Sequence, residues 1–157
     1  LAIVDTYNSK DLKVSALRRF IEEAPDHTER IRSGFRIGEL LRDDGQSEAA
    51  LTQWNSFIDK EITGDAALLE ELRRSAIFNS GQLLQQMEQL EKAREAFVEY
   101  SRRAPDGPDW SAAQESIIAI DARIGERLLQ DSRWTEGRAA ITEFTKLYPL
   151  DRRTRPR

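Results

Sequence analysis

Arg36-Ile37-Gly38-Glu39 and Arg123-Ile124-Gly125-Glu126 are the same four residues met twice in one chain, and the residues downstream of each decide the fold. Gly38 is followed at +12 by Ala50, at +16 by Trp54 and at +19 by Phe57. Gly125 is followed at the same offsets by Gly137, Ile141 and Phe144, with Pro149 at +24. Between them Gly81 opens a third copy, with Ala93, Phe97 and Tyr100 at those offsets and Pro105 at +24. A leucine stands three residues after each glycine, at Leu41, Leu84 and Leu128. Fixed offsets of this kind mark an internal repeat.

Glycine inside a helix costs about 1 kcal/mol relative to alanine, so its recurrence at equivalent positions calls for a reason. Close approach of a neighbouring helix supplies one. A fourth, broken copy precedes the three: Leu17, Phe20 and Pro25 keep the spacing of Ile141, Phe144 and Pro149, which projects the glycine-equivalent position back to Leu1. On this register the chain begins part-way through a hairpin, and residues 1–151 read as a piece of a longer array.

Caps and breakers give eight helices, counting a stub over residues 1–7. The second, about 10–23, places Leu12, Leu17, Phe20 and Ile21 in the core and stops before Pro25. The third runs from about His27 to Arg42, with Gly45 as the glycine just past its end. The fourth covers about 47–60. Asp65 caps a long fifth helix reaching about Met87. The sixth starts at Leu90 and ends before Pro105, and Pro105-Asp106-Gly107-Pro108 is the strongest loop signal in the chain. The last two cover about 109–129 and 134–147. Ser116-Ile117-Ile118-Ala119-Ile120 has strand-like composition but no partner strand or turn signal, so it reads as helix. Trp54 and Trp134 are expected in the core, while Trp110 is either a hydrophobic staple or a partly exposed contact.

Composition agrees with an all-α class. Charged residues make up 33%, and Gly and Pro together number 13, which favours helix over sheet. The formal charge is −4, but four arginines (Arg152, Arg153, Arg155 and Arg157) lie in the last six residues, so residues 1–151 carry −8. An acidic body repels phosphate backbones, and nucleic acid is not an expected partner. Residues 152–157 read as a basic tail that is expected to be flexible. No run approaches the roughly 20 apolar residues that cross a bilayer, so membrane insertion is not expected.

Candidate chemistry is sparse. The chain has no cysteine, which removes disulfides, thiolate metal sites and cysteine nucleophiles. Its one histidine, His27, stands with Glu22, Glu23 and Asp26 around a proline that splays the group, a poor frame for a metal. Glu91 and Glu95 sit beside Lys92 and Arg94 at ion-pair spacing and read as surface decoration. The glycines are dispersed inside helices, so no phosphate-binding loop is present. The chain is therefore expected to be no enzyme and to need no cofactor or metal.

The small residue in a first helix, the small residue and two large ones in a second, and the closing proline resemble the tetratricopeptide repeat family over about residues 1–150. The resemblance implies a right-handed α-solenoid of antiparallel helical hairpins, about three and a half repeats, monomeric as a fragment. It departs in period, since the glycines lie 43 and 44 residues apart against about 34 in the family. The additional residues fall before each glycine and lengthen the first helix. HEAT-type repeats, with periods of about 40 to 47, stand as the alternative.

In proteins this chain resembles, first helices line a concave groove that takes a peptide or helix of another protein. Carried over by position, its lining is Phe35, Glu39 and Arg42, then Phe78, Gln82 and Gln85, then Ala122, Glu126 and Leu129. Two residues before each glycine, Arg36, Asn79 and Arg123 would give that groove a cationic stripe, unless the arginines pair with Glu39 and Glu126. Some family members clamp a peptide's terminal carboxylate there. This chain lacks the matching lysine and carries Glu39, Gln82 and Glu126 where that clamp wants asparagine, which argues against it. The implied function is a protein-binding scaffold; the alternative is a structural spacer, in which longer helices bury Phe35 and Phe78 between repeats. Phe20-Ile21-Glu22-Glu23-Ala24-Pro25-Asp26-His27, with Phe35-Arg36-Ile37-Gly38-Glu39-Leu40 after it, is similar to arrays in bacterial cell-envelope lipoproteins and periplasmic assembly factors, which implies an envelope location.

Overall fold

A computed structural model describes residues 9–24, 29–59 and 65–151. Among these residues there are seven helices and no strand: α1 (Lys10–Glu23), α2 (Glu29–Asp43), α3 (Ser47–Asp59), α4 (Ala66–Gln86), α5 (Leu90–Arg103), α6 (Trp110–Gln130) and α7 (Trp134–Leu147). They match the expected second to eighth helices, and Ser116 to Ile120 lie inside α6. The stub at 1–7, Pro25, the Asp26-His27 pair, Gly64 and the basic tail fall outside the described residues, as does the side chain of Phe57.

The chain divides into two compact units, residues 1–83 and 84–157. In the first, α2 packs on both α1 and α3; in the second, α6 packs on both α5 and α7. Buried residues of the first unit include Val14, Leu17, Ile31, Ile37, Ala50, Trp54 and Leu69. Those of the second include Leu90, Ala93, Phe97, Tyr100, Ile117, Ile120 and Phe144. Leu12, expected in the core, is exposed. It stands five residues before Leu17, which at 3.6 residues per turn points it away from the face that Val14 and Leu17 share.

The repeat is written in the backbone as well as in the side chains. Gly45 has φ +79°, and its turn closes with Gln46 N–H donating to Leu41 O at 2.9 Å and Gly45 N–H to Arg42 O at 2.9 Å. This is a Schellman turn, in which a left-handed residue lets two amides satisfy the last carbonyls of the helix. The same pair of bonds recurs at Glu88 (φ 60°), with Gln89 N–H to Leu84 O and Glu88 N–H to Gln85 O. It recurs again at Ser132 (φ 60°), with Arg133 N–H to Leu128 O and Ser132 N–H to Leu129 O. Each left-handed residue stands seven positions after one of the three register glycines. Second helices stop alike too: Ala24, Ala104 and Tyr148, each just before a proline, share φ near −130° and ψ near 60°, and each amide donates to the carbonyl four residues back.

Glu88 and Ser132 hold a conformation in which a Cβ is strained and glycine is not. Ser132→Gly, on an exposed turn, is expected to stabilise the chain by about 1 kcal/mol, read as a higher urea midpoint at unchanged slope. Asp65 caps α4 as expected, its Oδ1 accepting from Ala67 N–H at 2.9 Å and Leu68 N–H at 3.2 Å. Among the described residues no helix is long and apolar enough to cross a membrane.

Candidate functional site

Residues 35, 39 and 42 fall on one face of α2, being four and then three apart. The Phe35 ring lies 6.3 Å from that of Trp54 at a 33° tilt, and the Arg42 guanidinium lies 5.9 Å over the same indole. Trp54 itself is fully buried on α3. A Cβ built on Gly38 would lie 2.3 Å from its Nε1, so the indole rests flat on the α2 backbone, and that contact explains the glycine. Phe35 and Arg42 therefore both lie against Trp54. Arg36 pairs with Glu39 at 2.9 Å, and Arg42 also pairs with Asp43 at 2.7 Å.

On α4, Phe78 is buried, whereas Asn79 and Gln85 are half-buried and Gln82 is exposed. Only the polar members of this set present surface; the Phe78 ring does not.

On α6, Ala122 is half-buried and Arg123 and Glu126 are exposed. Arg123 pairs with Glu88 at 2.8 Å, not with Glu126, because the turn that closes α4 carries Glu88 up to α6. One turn later Arg127 pairs with Glu91. Leu129, assigned to the groove, is spent on α7 packing: a Cβ on Gly137 would come within 2.6 Å of its Cδ2 and 3.0 Å of its backbone nitrogen. The cationic stripe is thus paired at both of its arginines.

A polar cluster that no sequence motif marks joins α5, α6 and the end of α7. Arg94 donates to Asp121 from Nε (2.5 Å to Oδ1) and Nη2 (3.2 Å to Oδ2), and the Tyr148 hydroxyl donates to Oδ2 at 3.0 Å. The bond to Asp121 raises the Arg94 pKa, while burial, then the bond to Asp121, raises that of Tyr148. The available signal is positional: Arg94 stands 13 residues after Gly81, and Asp121 four before Gly125. On α5, Glu99 accepts from Arg102 at 2.8 Å and Arg103 at 2.5 Å, and these bonds hold its carboxyl at about 2.

A lowered carboxyl pKa means stability that is present above the usual value of about 4.5 and lost as pH falls towards 2. Glu99→Gln is expected to lower the melting temperature at pH 7, modestly because the group is partly solvated, and most of the difference should be gone at pH 2. Melting curves of both proteins at the two pH values check this.

Trp134, expected in the core, is 62% exposed. It opens a shelf of about 580 Å³ along α7 lined by Thr135, Arg138, Ala139, Thr142, Glu143 and Lys146. The described helix that packs on α7 is α6, and it leaves this side chain uncovered. Trp110, left open between staple and contact, is 41% exposed at the start of α6. No group of three or more histidine, aspartate or glutamate residues among the described residues is placed to hold a metal ion. No family model matches the chain, and no curated protein matches it.

Proposed function

We propose that this chain is a protein-binding scaffold, a tetratricopeptide-like right-handed array of helical hairpins that takes a peptide or helix of a partner and performs no chemistry itself. The observation that carries the reading is the recurrence of one turn at Gly45, Glu88 and Ser132, in step with the register glycines. A turn repeated at one distance from each register glycine is what an array of stacked hairpins requires of its sequence.

The proposed lining is more polar than the sequence alone implies. In the first unit Phe78 is buried and Phe35 is held on Trp54, so recognition there rests on Arg36, Glu39 and Gln82; in the second unit it rests on Arg123 and Glu126. The burial of Phe78 is also the observation that favours the second reading, a spacer within a larger protein.

Capture from a source lysate separates the two. A variant carrying Arg36→Glu, Gln82→Arg and Glu126→Arg leaves every buried side chain in place and is expected to keep the parent's circular dichroism. A partner held by the parent and lost by this variant supports the groove; equal capture by both, or by neither, favours the spacer.

A further inference from the structure

An aspartyl carboxyl carbon lies within bonding reach of the next residue's backbone nitrogen. Attack by that nitrogen on Cγ expels a carboxyl oxygen as water and closes a five-membered succinimide. Water then opens the ring at either carbonyl. One opening restores aspartate; the other gives isoaspartate, in which the chain runs on through Cγ and the former main-chain carbonyl becomes the free carboxylate. One water is lost and one regained, and nothing is oxidised or reduced. Access to the nitrogen limits the reaction, because a Cβ on the following residue, or atoms packed around it, stand in the way.

The chain has two Asp-Gly pairs, Asp44-Gly45 and Asp106-Gly107. Asp44 and Gly45 are both exposed on the turn between α2 and α3, and a Cβ built on Gly45 would meet nothing within 4 Å. A Cβ on Gly107, by contrast, would lie 2.8 Å from Ala104 Cβ and 2.9 Å from the Tyr100 hydroxyl, and a proline stands on each side of that pair. Asp131 occupies the place of Asp44 in the equivalent turn after α6, but it is followed by Ser132, whose Cβ crowds the attacking nitrogen. Of these three aspartates only Asp44 combines a bare neighbour with open surroundings. Two restraints hold it: Gly45 N–H donates to Arg42 O at 2.9 Å, and Gln46 Nε2 donates to Asp44 Oδ2 at 2.8 Å. Both lie in an exposed turn, where local opening costs far less than unfolding the helices.

We propose that Asp44 is a site of spontaneous covalent modification, converting to isoaspartate through a succinimide with Gly45, and that the product is a substrate for enzymes that methylate isoaspartyl carboxylates. Isoaspartate adds one carbon to the main chain inside a turn closed by Gly45 N–H to Arg42 O and Gln46 N–H to Leu41 O, and so displaces both bonds. The same α2–α3 hairpin seats Trp54 on Gly38, so the modified protein is less stable than the unmodified one. The chemistry needs only this turn and is independent of the binding role proposed above.

The intact protein is stored for several weeks at physiological temperature and pH, then mapped by proteolysis, which separates an isoaspartyl peptide from its aspartyl isomer. Transfer of labelled methyl groups from S-adenosylmethionine by an isoaspartyl methyltransferase gives a second readout. Isoaspartate is expected at residue 44 about tenfold or more above residues 106 and 131, the ratio that a barrier difference of about 1.4 kcal/mol gives. Asp44→Glu keeps the charge but would need a six-membered ring, so it should abolish the signal at residue 44. Ser132→Gly removes the crowding Cβ from the equivalent turn, and isoaspartate at residue 131 should then rise towards the level at residue 44. Stored parent protein should show a lower urea midpoint than fresh protein, and Asp44→Glu should keep its midpoint through the same storage. Isoaspartate missing at residue 44, equal at residues 44 and 106, or unchanged at residue 131 in Ser132→Gly overturns the proposal.

Discussion

Gly38→Ala is expected to destabilise the protein by about 2 kcal/mol or more, although alanine is the better helix former by about 1 kcal/mol. The new methyl would meet Trp54 at 2.3, 2.6 and 2.8 Å, and these are ring atoms of a fully buried indole with nowhere to turn. Relief requires the ring to leave its seat, which forfeits much of what a buried tryptophan contributes, about 3–5 kcal/mol on full truncation. Gly125→Ala is the control. There the nearest atom would be Ile141 Cγ1 at 3.0 Å, a contact relieved by a shift of a few tenths of an ångström in a side chain that is 38% exposed. The propensity gain then prevails, and this variant should be neutral to about 1 kcal/mol more stable.

Urea denaturation of the two variants decides the matter, because helix propensity alone predicts the same sign for both. Equal stabilisation would mean that close approach is not why Gly38 is glycine. A Trp54→Ile change gives the crossing the side chain found over Gly125, so it should cost less in the Gly38→Ala background than in the parent.

Gly38 and Gly125 differ in what lies over them, yet both are legible in the sequence as crossings. The register glycines, the Asp65 cap, the glycine after α2 and the long first helices α4 and α6 all follow from local rules, in which a residue type is tied to a backbone need. Two left-handed turns are hidden because Glu88 and Ser132 are not residues that such turns select; only their place seven after a glycine marks them. Trp134 departs from expectation for a different reason. Its helical position is a core position, but burial there depends on a second helix lying against that flank, which position within the repeat does not supply.

The candidate site divides along the same line. Arg36 with Glu39 is an interaction within one helix, three residues apart, and is open to sequence reasoning. Arg123 with Glu88 crosses between elements 35 residues apart and is not. The two phenylalanines stand at equivalent places, yet Phe78 is buried and Phe35 rides on Trp54, so equivalence in register does not carry equivalence in exposure.

Asp121→Ala should cost about 2–3 kcal/mol, the largest loss expected from any polar residue described. Its carboxylate accepts two bonds from Arg94 and one from Tyr148, so truncation strands a half-buried guanidinium and a half-buried hydroxyl together. Tyr148→Phe removes one bond and no charge, and should cost about 1 kcal/mol. The combined variant Arg94→Met, Asp121→Leu, Tyr148→Phe removes donors and acceptor alike. If the loss in Asp121→Ala comes from stranded polar groups, this triple variant should be closer to the parent in urea midpoint than Asp121→Ala is. A triple variant less stable than Asp121→Ala would show instead that the cluster contributes net stability of its own. In that case its position, joining α5, α6 and the residue after α7, makes it a principal tie within the second unit.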